Sequence, residues 1–187
     1  MKTSQALTTV RAAEIFDVVV SYRGEFCADT DFIKMTAVWD DLCAAGDLWR
    51  IKRYDSAPGT DYDRKASVIA VGHNLVLTVD SQFWRRAERG EKLPNYVLAH
   101  ELGHVILGHH AKKPNLKHFN LGKVRGQTMG ILPPNLEEKE ASFAGVIFQS
   151  GNALADMRWD ATRLAERAFS DVREVKNAQR FVQLDVF

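Results

Sequence analysis

Apolar positions recur with a helical period at both ends of the chain and in shorter, strand-like runs in its middle. Residues 6–22 set Leu7, Val10, Ile15, Val18, Val19 and Tyr22 at spacings that suit an amphipathic helix. A second helix is predicted from Thr30 or Asp31, either of them a good N-cap, as far as Ala45, with Gly46 as its stop. Phe32, Met35, Val38, Trp39 and Leu42 form its apolar stripe, the pattern of a core-facing helix. Dense turn chemistry over 55–65 reads as a loop. Residues 67–71 and 75–79 then read as two strands joined through Gly72-His73-Asn74, a short hairpin in which His73 is a solvated turn residue.

The pattern changes at Leu93. Pro94 suits a first helical turn, and from Tyr96 to Leu107 the chain is apolar apart from His100, Glu101 and His104. A helix apolar on every side is buried, and burying two imidazoles and a carboxylate is costly unless they are paired or hold a metal. The stretch 111–134 is loop-like: Lys112, Lys113, Lys117, Lys123 and Arg125 stand there without an acid, followed by Gly126, Gly130, Pro133 and Pro134. Its basic part, 112–125, reads as a solvated loop over the site rather than a nucleic-acid contact. Another helix begins near Asn135 and carries Glu137, Glu138 and Glu140, and the tail over 153–184 reads as one or two amphipathic packing helices. The elements add up to an α+β fold, a small mixed sheet packed on a buried active-site helix with flanking N- and C-terminal helices. The length favours a single domain over 1–187, with an N-terminal helical part (1–50), a core (65–150) and C-terminal helices (153–187).

Composition narrows the function classes. With 45% hydrophobic and 26% charged residues the chain is an ordinary globular one, and a net charge of +1 argues against a protein built to coat nucleic acid or an anionic membrane. Cys27 and Cys43 lack any C-x-x-C spacing and read as buried free thiols in a reducing compartment. The first residues carry no signal-peptide run, and Val18-Val19-Val20 is far short of the ~20 residues that cross a bilayer. A cytoplasmic protein with no membrane contact is the expectation.

The chemistry concentrates in His100-Glu101-Leu102-Gly103-His104, an H-E-x-x-H on a helix. Composition alone gives about 0.01 expected occurrences in a chain of this length. Four residues advance a helix by about 400°, so the two imidazoles share a face roughly 6 Å apart along the axis, within reach of one zinc ion. Glu101 projects beside them, placed to act as general base on a water that the ion activates. This makes the fold zincin-like. A catalytic zinc needs a third protein ligand and an open position. His110 stands at the metzincin spacing, but Leu107 occupies the position where that pattern needs glycine, and one methionine before a glycine, Met129, is next to no sign of a Met-turn. A glutamate on the following helix is the alternative, gluzincin-like arrangement. Glu137, Glu138 and Glu140 all qualify there, next to Ala141 and Ala144, whose small side chains would let two helices approach closely. An acidic first turn is also what the helix dipole favours without any metal.

The run from Ala99 to Leu107, followed by Glu138-Lys139-Glu140-Ala141-Ser142-Phe143-Ala144-Gly145, resembles the ImmA/IrrE family of zinc metallopeptidases over about residues 65–150. That family reads roughly A-H-E-[LI]-G-H-x-x-L and then E-x-x-A-[ND]-x-x-A. The resemblance implies Glu138 as third ligand beside His100 and His104, with Glu101 as the base. Ser142 stands where the family has Asn or Asp, a group that can hydrogen-bond a ligating histidine. No oxyanion partner is assigned, and His118 is the candidate nearest the motif. What the family implies is a site-specific endopeptidase that cleaves a helix-turn-helix transcriptional repressor. Some members act instead as the toxin of a toxin–antitoxin pair, neutralised by a cognate regulator. A non-catalytic module that only binds a regulator is a third reading, against which the presence of Glu101 weighs. Residues 1–50 carry no clear helix-turn-helix, so the regulator would be met in trans.

Overall fold

The computed structural model describes residues 7–29, 31–46, 48–56, 65–109 and 136–185. Among them are seven α-helices and three strands, a mixed α+β arrangement. Helices α1 (Thr9–Arg23) and α2 (Met35–Ala45) precede strand β1 (Trp49–Tyr54). Strands β2 (Ala66–Val71) and β3 (Asn74–Asp80) follow, then α3 (Ser81–Glu88) and α4 (Lys92–Ile106). Helix α5 (Leu136–Ser150) runs into a short 3-10 turn (Gly151–Leu154), and α6 (Ala161–Arg167) and α7 (Val172–Asp185) close the chain.

The sheet has the order β1-β3-β2. The hairpin is where the pattern put it: β2 and β3 are antiparallel, Val71 faces Asn74 across the two-residue turn Gly72-His73, and Gly72 takes a φ of 61°. His73 is exposed at that turn. Strand β1 pairs parallel with β3, from Trp49 opposite Leu75 to Tyr54 opposite Asp80, and makes the sheet mixed. Leu77 and Val79 of the central strand are fully buried. Helix α4 packs on β2, α2 packs on β1 and α4, and α1 and α7 cover α5. One apolar cluster runs through all of these elements, from Leu7 to Val182.

Several details depart from the sequence expectation, each for a physical reason. Helix α2 begins at Met35, past the predicted cap; Thr30 lies outside the described residues. Its first N–H is satisfied from a distance instead, because Met35 donates to Oδ1 of the buried Asn95 on α4 at 2.9 Å. The same amide donates through Nδ2 to the carbonyls of Ala87 and Glu91, so one side chain ties three helix ends together. In α1 the buried stripe is Ala12, Ile15, Val19 and Arg23, while Val10 and Val18 stay outside and half or more exposed. Strand β1 and helix α3 were not anticipated; Asp80 ends β3 and caps α3 in one step, its carboxylate accepting from the Phe83 N–H at 2.8 Å. Cys27 and Cys43 are free thiols, but half-buried rather than buried.

The closest helix pair is α4 with α5. A Cβ added at Gly103 would sit 2.5 Å from the carbonyl oxygen of Ala141, and one at Gly145 would sit 2.9 Å from the backbone of Ala99 and His100. Both collisions are with backbone, which cannot rotate away, so the two helices touch main chain to main chain across small residues. The Gly103→Ala variant should therefore lose about 1–3 kcal/mol in urea denaturation through overpacking, although alanine is ordinarily better than glycine inside a helix. Gly46→Ala, where nothing lies within 4 Å of the added carbon and φ is an extended 171°, is the control that should stay near the parent.

Candidate metal centre

Helix α4 is buried along its length from Pro94 to His104, and its motif face meets the first turns of α5. The three acidic candidates of α5 separate there. Glu138 points at the two histidines: its Oε2 is 3.3 Å from Nε2 of His100 and its Oε1 is 3.6 Å from Nε2 of His104. The two Nε2 atoms are 3.1 Å apart. Glu140 turns the other way, toward Nε2 of His109 at 3.1 Å and Arg11 of α1 at 2.9 Å. Among the described residues, His100, His104 and Glu138 form the group whose ligand atoms could hold a metal ion, and Glu137 stays outside it. His110, Met129, His118 and the basic stretch 112–125 lie outside the described residues, as does most of the predicted loop before β2.

The spacing of these atoms fits a small tetrahedral ion. Bonds of about 2.0–2.1 Å at tetrahedral angles set ligand atoms about 3.3 Å apart. The three separations here, 3.1, 3.3 and 3.6 Å, bracket that edge. His100 and His104 are wholly buried, and the side chain of Glu138 is 22% exposed. Burial opposes the charge of Glu138, but the two histidines beside it, His100 and His104, outweigh burial and hold the carboxyl down at about 2. For His104 burial is the dominant influence and moves its pKa below the usual imidazole range, which favours the neutral ring that a metal requires.

Each imidazole is braced from behind. Nδ1 of His100 lies 3.1 Å from Oγ of Ser142, one helical turn beyond Glu138, so serine fills the position where the resembling family has Asn or Asp. Nδ1 of His104 lies 2.8 Å from Nδ1 of His109. His109 is fully buried because Gly108, at φ 66°, reverses the chain just after α4 and folds the next ring back beneath the motif. Sequence reading passed over His109: it falls five residues after His104, off the helical spacing, and its only local signal is the preceding glycine.

Glu101 faces the sheet. Its Oε2 accepts the backbone N–H of Val68 in β2 at 2.9 Å, while its buried Oε1 has no hydrogen-bond partner among the described residues. Burial raises its pKa well above the usual carboxylate range; the Val68 N–H works against this and the charge of Glu138 adds to it. A carboxyl held this way, one oxygen fixed and the other free, is arranged to exchange a proton.

No family model, no curated protein and no solved structure matches this chain. Among the described residues no helix is long and apolar enough to cross a membrane.

The cluster should take up about one divalent ion per chain, read by mass spectrometry of metal-soaked protein. Uptake should vanish in Glu138→Ala and His104→Ala and persist in His110→Ala. At free metal 100-fold above Kd the gain is about 2.7 kcal/mol, or roughly 5–10 °C in Tm for a chain of this size.

Proposed function

We propose that the chain is a zinc-dependent metallo-endopeptidase with a zincin-like core, akin to the ImmA/IrrE metallopeptidases, acting on a protein in the cytoplasm. The observation that carries this reading is the convergence of His100, His104 and Glu138 beside a buried glutamate, one of whose oxygens has no hydrogen-bond partner among the described residues. Two imidazoles and one carboxylate suit zinc better than magnesium or calcium, which prefer all-oxygen shells. Among the described residues three side chains converge, the number of protein ligands that a catalytic rather than a structural zinc has.

When bound, zinc would supply Lewis acidity, making water a nucleophile near neutral pH and polarising the peptide carbonyl under attack. The chain's own groups do the rest. Glu101 takes the proton of the attacking water on Oε1 and delivers it to the departing amine, while its Oε2 stays fixed by Val68. Its raised pKa suits it to take up that proton, and a dication beside it would draw the pKa back down so that the proton can be passed on. Ser142 and His109 hold the two imidazoles in orientation. A helix-turn-helix repressor met in trans is the substrate class that the family likeness supports.

Glu101→Gln is the test. The amide keeps the shape and the Val68 contact but cannot accept the proton. The variant should hold one zinc per chain, as the parent does, and cleave the co-expressed regulator or a peptide library about 10²–10⁴-fold more slowly. Equal cleavage by parent and variant, followed by mass spectrometry of the products, would sink the peptidase reading.

A further inference from the structure

We propose that His109 is a positioning residue of the metal centre. With Glu140 and Arg11 it forms a one-way hydrogen-bond chain that fixes His104 in the tautomer whose Nε2 lone pair faces Glu138. The inference rests on the metal-site reading above and adds to it the means by which one ligand is kept ready.

The direction of the chain follows from donors and acceptors. A neutral imidazole has one nitrogen that donates and one that accepts. Arg11 can only donate, and it meets Glu140 twice, through Nε to Oε1 at 2.9 Å and through Nη2 to Oε2 at 3.3 Å. The Glu140 carboxylate can only accept, and its Oε2 lies 3.1 Å from Nε2 of His109. A lone pair on that nitrogen would face another lone pair, so the proton of His109 sits on Nε2. Its Nδ1 is then an acceptor, 2.8 Å from Nδ1 of His104. By the same logic His104 carries its proton on Nδ1 and leaves Nε2 bare. That bare nitrogen lies 3.1 Å from Nε2 of His100 and 3.6 Å from Oε1 of Glu138. The chain thus turns the Nε2 lone pair of His104 toward Glu138, an arrangement that a cation satisfies.

Nothing local to α4 would produce this. Ser142, behind His100, can donate or accept and so imposes no tautomer. Glu140 does impose one, because Arg11 stands 129 positions away in sequence and clamps it from α1.

The test reads tautomers directly in the full-length protein, labelled with ¹⁵N and loaded with zinc, by long-range proton–nitrogen correlation at neutral pH. His109 should appear as the Nε2–H form and His104 as the Nδ1–H form with Nε2 shifted by the metal. An Nδ1–H or doubly protonated His109 would overturn the proposal, and this readout needs no variant to fold. In parallel, His109→Leu should bind about one zinc with affinity lowered 10–100-fold. His109→Asn, whose amide oxygen can replace Nδ1 as acceptor, should recover most of that loss. Unchanged affinity in His109→Leu would refute the positioning role alone. Failure of the unaltered chain to take up zinc at all would instead remove the metal reading, and the relay's function with it.

Discussion

The contact of α4 and α5 through bare backbone governs the rest of the molecule. Gly103 lies against Ala141, and Gly145 lies against Ala99 and His100, at distances where one added carbon would collide with main chain. Only at that separation can a glutamate on one helix come within about a hydrogen bond of two imidazoles on the other. The same closeness places Ser142 behind His100 and Glu140 within reach of His109. Small residues in a protein interior are usually read as room for neighbouring side chains; here they set a distance. The cost is the burial of ionisable groups. Removing a charged group from water costs several kcal/mol before any compensation. The pairing of Glu138 with both histidines, and of Glu140 with Arg11, offsets that cost, and a bound cation would reverse its sign.

The sheet has a specific share in the site. Strand β2 is an edge strand, and edges present unpaired donors that must be managed. Val68 gives its N–H to Glu101 rather than to β3. One bond therefore covers an edge donor and aims a buried carboxylate. The two-residue hairpin behind it matters for the same reason, since a shift of one residue in register would turn Val68 around and leave Glu101 without its anchor.

Local chemistry was legible in the sequence and distant partnership was not. The H-E-x-x-H helix, the hairpin at Gly72-His73 and the acidic start of α5 could be read because each is written in a few adjacent residues, as was the use of Ala141 for close helix packing, though not that of Gly103 and Gly145. Spacing alone left Glu138 level with its two neighbours and only the family likeness pointed to it, because helical phase against the facing helix decides which carboxylate looks inward. Strand β1 was missed although Trp49, Ile51 and Arg50, Lys52 alternate; the charges masked a six-residue strand that depends on β3 for its pairing. The start of α2 was set by Asn95, sixty positions on, and Arg11 finds its role only when α1 docks on α5. Contacts of that kind have no sequence signature.

The distribution of the ligands over two helices also sets an order of events during synthesis. Glu138 follows His104 by thirty-four positions, which a ribosome covers in roughly 2–7 s. Throughout that interval the face of the motif helix that α5 will cover is without its partner, while α2, α3 and β2, made earlier, can already cover its other side. Such a segment is one that chaperones recognise and that aggregates if left alone. The three-residue cluster cannot form in the nascent chain before α5 has emerged and docked, so any metal it holds would be acquired late, with the closing of the core rather than with its nucleation.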